Sequence, residues 1–172
     1  MKHDYVILTD HLRLRQVQFD DIFQIMEWRN NAETRKWFLN SKTISPEGQA
    51  LWYEKYLRAD KEIMFVIEEK DNAHRILGTV ALTNINEDDH SAEVGRFMIG
   101  NLRVRGKGIG LEGITAACEF CFNTYDVNRI YCRVYEDNQS CLKTIFNMGF
   151  ITVGSELDIN NRTVLICEFY RP

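Results

Sequence analysis

The feature that most constrains this chain is the run Arg103-Val-Arg105-Gly106-Lys107-Gly108-Ile109-Gly110, which follows the strand-patterned stretch 92–99 and opens a helix-patterned one. Glycines lack Cβ atoms, so they take turn conformations closed to other residues and let a ligand come close to the backbone. The first N–H groups of a new helix have no intrahelical acceptor and point outward. Arg103, Arg105 and Lys107 place positive charge at the same point. Strand, cationic glycine loop and helix together predict a cradle for phosphate; the plainer alternative is a glycine-rich turn. Two better-known loops do not fit. A Walker loop needs Gly-x4-Gly-Lys-Ser/Thr, whereas here Ile or Leu follows the second glycine. A dinucleotide fingerprint needs Gly-x-Gly-x-x-Gly in a chain-initial unit, whereas Gly106 and Gly108 lead to Leu111 in mid-chain.

The chain has 172 residues, enough for one domain, 1–172, around one substantial core. No apolar stretch approaches the roughly 20 residues of a membrane span, and the first ten residues lack the apolar centre of a signal peptide. The expected location is cytoplasmic, without a membrane partner. A formal net charge of -4 argues against nucleic acid, because backbone affinity needs accumulated Lys and Arg. The basic loop is therefore a local site. Five cysteines form no disulfide framework, and Cys118-x-x-Cys121 sits in an amphipathic stretch with no histidine near it. They read as small buried apolar residues, and no metal is expected.

Alternation over 11–17 predicts a strand, ending before Asp20 and Asp21, which suit a helix start. That helix runs to Arg29-Asn30-Asn31. Ser45-Pro46-Glu47 starts a second helix, with proline at the first helical position. Strands are predicted at 63–69 and 75–83, joined by a polar turn at 70–74, and at 92–99. Helices at about 108–125 and 138–148 flank a strand at 129–135, and strands at 150–157 and 163–170 form a hairpin around Asn160-Asn161. The expectation is a mixed α/β (α+β) domain with seven strands and four helices.

Arg105-x-x-Gly108-x-Gly110 resembles the Arg/Gln-x-x-Gly-x-Gly/Ala signature of the GNAT superfamily of N-acetyltransferases. A second match lies downstream, where Asn138-Gln-Ser-Cys141 on a helix ending at Gly149-Phe150 is similar to the family's Asn-x-x-Ala/Ser helix. The resemblance covers nearly the whole chain. It implies a mostly antiparallel sheet splayed between the predicted fourth and fifth strands, with acetyl-coenzyme A (acetyl-CoA) held along the splay. Its cofactor contacts map to Phe97, Met98 and Ile99 on the strand, to Arg103, Arg105, Gly106, Lys107, Gly108, Ile109 and Gly110 in the loop, and to Asn138 for the pantetheine arm.

Attack of an amine on a thioester needs a neutral amine and a stabilised oxyanion. The resemblance assigns the second to backbone N–H groups near Phe97 to Ile99. For a base, period two places Glu93, Gly95, Phe97 and Ile99 on one face, so Glu93 is the candidate; an ion pair with Arg96 or another arginine is the competing role. Many family members carry a tyrosine acid seven residues after the motif asparagine, but Ile145 stands there. That leaves water, Cys141 or Tyr135 to protonate the thiolate. Trp28-Arg29-Asn30 resembles the acceptor segment of enzymes that acetylate nucleotide-linked 4-amino-deoxy sugars. Arg29 would meet a diphosphate there, and Trp28, Trp37 or Trp52 would stack on a base or sugar. The layout also resembles N-terminal acetyltransferases of ribosomal proteins and polyamine acetyltransferases, and an acidic chain suits a polycation. The expected partner is a small-molecule amine, with the sugar nucleotide placed first. A homodimer and a non-catalytic acyl-CoA sensor are left open.

Overall fold

The structure, a computed structural model, describes residues 2–71 and 75–172. Three residues of the expected 70–74 turn lie outside that range. Eight strands form one sheet: β1 (Val6–Leu8), β2 (Leu12–Gln16), β3 (Ile63–Glu69), β4 (Ile76–Asn86), β5 (Ser91–Ile99), β6 (Arg129–Tyr135), β7 (Ile151–Leu157) and β8 (Thr163–Tyr170). Their spatial order is β1-β2-β3-β4-β5-β6-β8-β7, and β5–β6 is the parallel pair in an otherwise antiparallel sheet. Five helices flank it: α1 (Ile22–Asn30), α2 (Ala32–Arg35), α3 (Pro46–Arg58), α4 (Ile109–Thr124) and α5 (Gln139–Met148). The two elements beyond the expected count are β1 and α2. At three and four residues, both are too short for a period to show.

Local chemistry sets the helix ends. The Ser45 hydroxyl accepts from the Gly48 N–H ahead of Pro46, and the Asn138 carboxamide oxygen accepts from Cys141 N–H at 3.2 Å. Gly149 closes α5 in the left-handed region at φ +105°.

The sheet is covered on both faces. On one, α4 and α5 bury Leu12, Phe65, Val80, Val94, Ile114, Ile130 and their neighbours. On the other, α1 and α3 bury Ile22, Ile25, Tyr56, Met64, Ala81 and Met98. Cys118 and Cys121 sit in the first of these cores, fully buried, and burial pushes the Cys121 thiol up to about 12. Among the described residues no helix is long and apolar enough to cross a membrane.

A charged network lies inside this scaffold. Glu68 is 1% exposed and takes Arg13 Nη1 and Arg15 Nε, each at 2.7 Å. Arg15 also grips both carboxylate oxygens of Asp21 at 2.7 and 2.9 Å, which hold its guanidinium charged. Removing one partner of a buried charged network leaves the others unpaired, at a cost of about 3–5 kcal/mol. Glu68→Ala is therefore expected to lose about that much stability in urea unfolding, and a loss under 1 kcal/mol would show the arginines resolvated.

Candidate active site

β5 and β6 pair over three residue pairs, from Ser91↔Arg129 to Glu93↔Tyr131, and then part. Beyond Glu93, among the described residues, β5 continues with β4 and β6 with β8, so a V opens between them. The backbone edge of β5 inside the V is thus available to a ligand.

Within that edge the alternation breaks. Arg96 sits at φ +46°, and Arg96 and Phe97 together stand opposite Val80, between Ala81↔Gly95 and Thr79↔Met98. This is a β-bulge, in which one extra residue reverses the facing of all that follow. The Thr79 hydroxyl pins it by donating to the Arg96 carbonyl at 2.7 Å. The expected sharing of one face by Glu93, Gly95, Phe97 and Ile99 is therefore corrected. Phe97 and Ile99 turn to the α4 core with Val94, while Glu93 lies with Ala81 and Met98 on the side of α1 and α3.

The loop is built by its glycines. Gly106 and Gly108 lie at φ +77° and +83°, where L side chains are strained, and a Cβ on either would meet no atom within 4 Å. Gly108 is the N-cap of α4 and offers no side-chain cap, so the first-turn N–H groups of Ile109, Gly110 and Leu111 face outward over open space. Gly110 has a different duty: its Cβ would stand 3.2 Å from the Phe97 ring, so it lets the helix start rest on β5. Arg103 and Lys107 are exposed beside this helix start, which fits a diphosphate. Arg105 is committed elsewhere, its Nε donating to the Ile99 carbonyl at 3.1 Å and its Nη2 reaching Thr34 Oγ1 at 3.5 Å.

Glu93 accepts from Asn84 Nδ2 at 2.8 Å and lies 3.4 Å from Arg133 Nη2, with its side chain 13% exposed. The neighbouring arginine is thus Arg133 of β6. Arg96 instead pairs with Glu62 and approaches the Trp52 ring at 5.7 Å. Neither Asn84 nor Arg133 belongs to a sequence motif, and the β4–β5 and β5–β6 registers bring them in.

The candidate acids are placed differently. The Tyr135 hydroxyl donates to Asp158 Oδ2 at 2.8 Å under the Arg162 guanidinium, and burial with the Asp158 charge raises its pKa. Cys141 packs against the α5 core, where burial lifts its thiol to about 12. Ile145 is 1% exposed, so the position seven residues after Asn138 faces the core. Asn138 spends its oxygen on the α5 cap, and its NH2 has no hydrogen-bond partner among the described residues.

The Trp28-Arg29-Asn30 segment divides its work. A Cβ on Gly100 would stand 2.0 Å from the Trp28 ring, so Trp28 lies flat on the loop entrance and walls two adjoining cavities with Gln24 and Leu102. Asn30 holds Ile44 by two backbone bonds, at 2.8 and 2.9 Å. Arg29 stacks 3.5 Å over Phe38 and donates to the Asn40 carbonyl, yet its buried Nη1 has no hydrogen-bond partner among the described residues. Burial and the nearby Arg96 charge bring its pKa down to about 10, so it stays cationic at neutral pH.

A sheet split at its parallel pair, with a glycine-rich loop opening a helix at the mouth of the split, defines an acyl-CoA transferase fold. The family profile described as acetyltransferase (GNAT) domain matches residues 11–151, and the chain belongs to that family, whose enzymes use acetyl-CoA. A spermidine N(1)-acetyltransferase of Vibrio cholerae is 26% identical over 158 residues, covering 90% of this chain and 89% of that protein. An N-acetyltransferase 9-like protein of Caenorhabditis briggsae is 28% identical over 124 residues, 67% of this chain, which thereby spans 62% of that relative's length. Among solved structures, spermidine N-acetyltransferase from Vibrio cholerae in complex with CoA and spermine superposes with a TM-score of 0.85 at 24% identity, covering 94% of this chain and 96% of that one. Ribosomal-protein-S5-alanine acetyltransferase from Vibrio fischeri superposes with 0.79 at 21% identity, covering 98% and 100%. At these identities the structures speak for the fold.

Proposed function

We propose that this chain transfers the acetyl group of acetyl-CoA to a primary amine of a small molecule, with a polyamine such as spermidine as the first acceptor class to test. The observation that carries the transferase reading is the open Gly106–Gly108 cradle set at the mouth of the split sheet. The acceptor class comes from the relatives named for spermidine, which reverses the order expected from the sequence. Bound acetyl-CoA supplies an acyl group activated as a thioester. The first turn of α4 holds its diphosphate, and Asn138 orients the pantetheine arm. Backbone N–H groups of β5 near Phe97 to Ile99 stabilise charge on the carbonyl oxygen. Glu93 takes a proton from the incoming ammonium, directly or through water, so that the nitrogen lone pair can attack. Water is the proton source for the departing thiolate, because Tyr135 and Cys141 are engaged or buried.

A second acceptor reading rests on Arg29. A cation whose buried Nη1 lacks a bond partner among the described residues, close to Arg96, suits an amine carried on an anionic scaffold, such as a nucleotide-linked 4-amino-deoxy sugar. Free-thiol release with spermidine, such a sugar nucleotide and an N-terminal peptide, measured side by side, separates the readings. Spermidine is expected to give the highest kcat/KM. Preference for the sugar nucleotide, lost in Arg29→Met, would assign Arg29 to the acceptor instead. Acetyl-CoA binding without thiol release for any amine would make the chain a sensor.

A further inference from the structure

The far ends of the V are Ile99 on β5 and Tyr135 on β6, and the short helix α2 bridges them. From the β5 side, Arg105 bonds the Ile99 carbonyl and reaches Thr34 of α2. From the β6 side, Arg162 in the β7–β8 turn donates to the Lys36 carbonyl at 2.9 Å. The same guanidinium grips both oxygens of Asp137 at 3.0 and 3.2 Å and stacks 3.6 Å over the Tyr135 ring. Trp37 lies between two cations, 5.1 Å from the Lys36 ammonium and 5.8 Å from Arg162. A four-residue helix has no stability of its own, and its side-chain bonds with its neighbours in sequence, the Asn31 cap, the Lys36–Glu33 pair and the Arg35 bond to the Thr43 hydroxyl, are exposed. Its position across the V is therefore set from outside, by one arginine at each end.

We propose that residues 31–37 form a strap clasped by Arg105 and Arg162 across the open end of the V, which keeps water from the thioester and opens to admit the acceptor. Arg162 is then a positioning residue, 126 residues distant in sequence from the backbone it holds. The proposal rests on acetyl-CoA lying in the V and is independent of which amine is acetylated. A loosened strap would let water attack the thioester carbonyl, breaking the C–S bond to give acetate, free thiol and a proton to solvent.

The test is thiol release from acetyl-CoA with no amine present, alongside tryptic cleavage after Lys36 and acetyl-CoA affinity by calorimetry. Losing hydrogen bonds from a charged donor is worth a factor of about ten, so Arg162→Ala is expected to raise both hydrolysis and cleavage about tenfold with affinity within about twofold. Arg162→Lys, which keeps the charge and one donor but loses the fork, is expected to fall between. Asp137→Asn loosens the same clasp if Arg162→Ala does not fold. Faster cleavage with wild-type hydrolysis would overturn the water-excluding role, and wild-type values for both would overturn the clasp. Failure of the underlying reading shows differently, as no acetyl-CoA binding by the wild-type protein, and removes the strap's function with it.

Discussion

Gly108→Val is expected to raise the acetyl-CoA dissociation constant about 100-fold or more while the protein stays folded. Two effects combine. At φ +83° a β-branched residue is an outlier, and left-handed backbone costs an L residue roughly 1–2 kcal/mol. The new methyl groups would also stand over the first turn of α4, where the N–H groups face outward. No protein atom lies within 4 Å of the added Cβ, so the fold meets no clash and the loss falls on the ligand. A factor of 100 corresponds to about 2.7 kcal/mol, the scale of that strain plus one or two charge-assisted hydrogen bonds. Gly108→Asn, which tolerates the left-handed region, is expected to lose less. Calorimetric titration with acetyl-CoA, paired with a thermal melt, reads both quantities; near wild-type affinity in a folded Gly108→Val protein would remove the cradle.

Glu93→Gln is expected to lower kcat about 100-fold, the lower range for loss of a general base, with acetyl-CoA affinity unchanged. Glutamine keeps the shape and an oxygen for the Asn84 amide, so the β4–β5 contact survives. The Arg133 guanidinium is 41% exposed and only 3.4 Å from Glu93, so the pair contributes about 1 kcal/mol at most and stability should barely move. Steady-state rates across the pH range settle the matter. Unchanged rates would leave Glu93 as a partner of Arg133 and nothing more.

The glycine loop was legible because its information is local. Gly106, Gly108 and Gly110 are neighbours whose conformational freedom follows from residue type, and the strand before them and the helix after them carry their own periods. Asn138 and Gly149 mark both ends of α5 in the same way. Arg103 and Lys107 stand beside the helix start, but Arg105, read as a third phosphate charge, is turned toward Ile99 and Thr34 by contacts no local pattern encodes. Trp28 and Asn30, read as acceptor contacts, brace Gly100 and Ile44, because the fold brings those backbones to them.

The bulge at Arg96 shows the limit best. Gly95 stands beside it, and an isolated glycine in a strand pattern suggests a bulge without placing it; one extra residue there sends Phe97 and Ile99 to one core and leaves Glu93 facing the other. What the sequence by itself determined is the order of elements, the helix ends and the glycine loop that opens α4, because each depends on residues within a turn or two of one another. Only the tertiary structure decided which face Glu93 takes, which arginine neighbours it, and that Arg105 reaches Thr34 while Arg162 reaches the Lys36 carbonyl. Those outcomes depend on strand register and on contacts between residues tens of positions apart, which become definite only when the sheet closes.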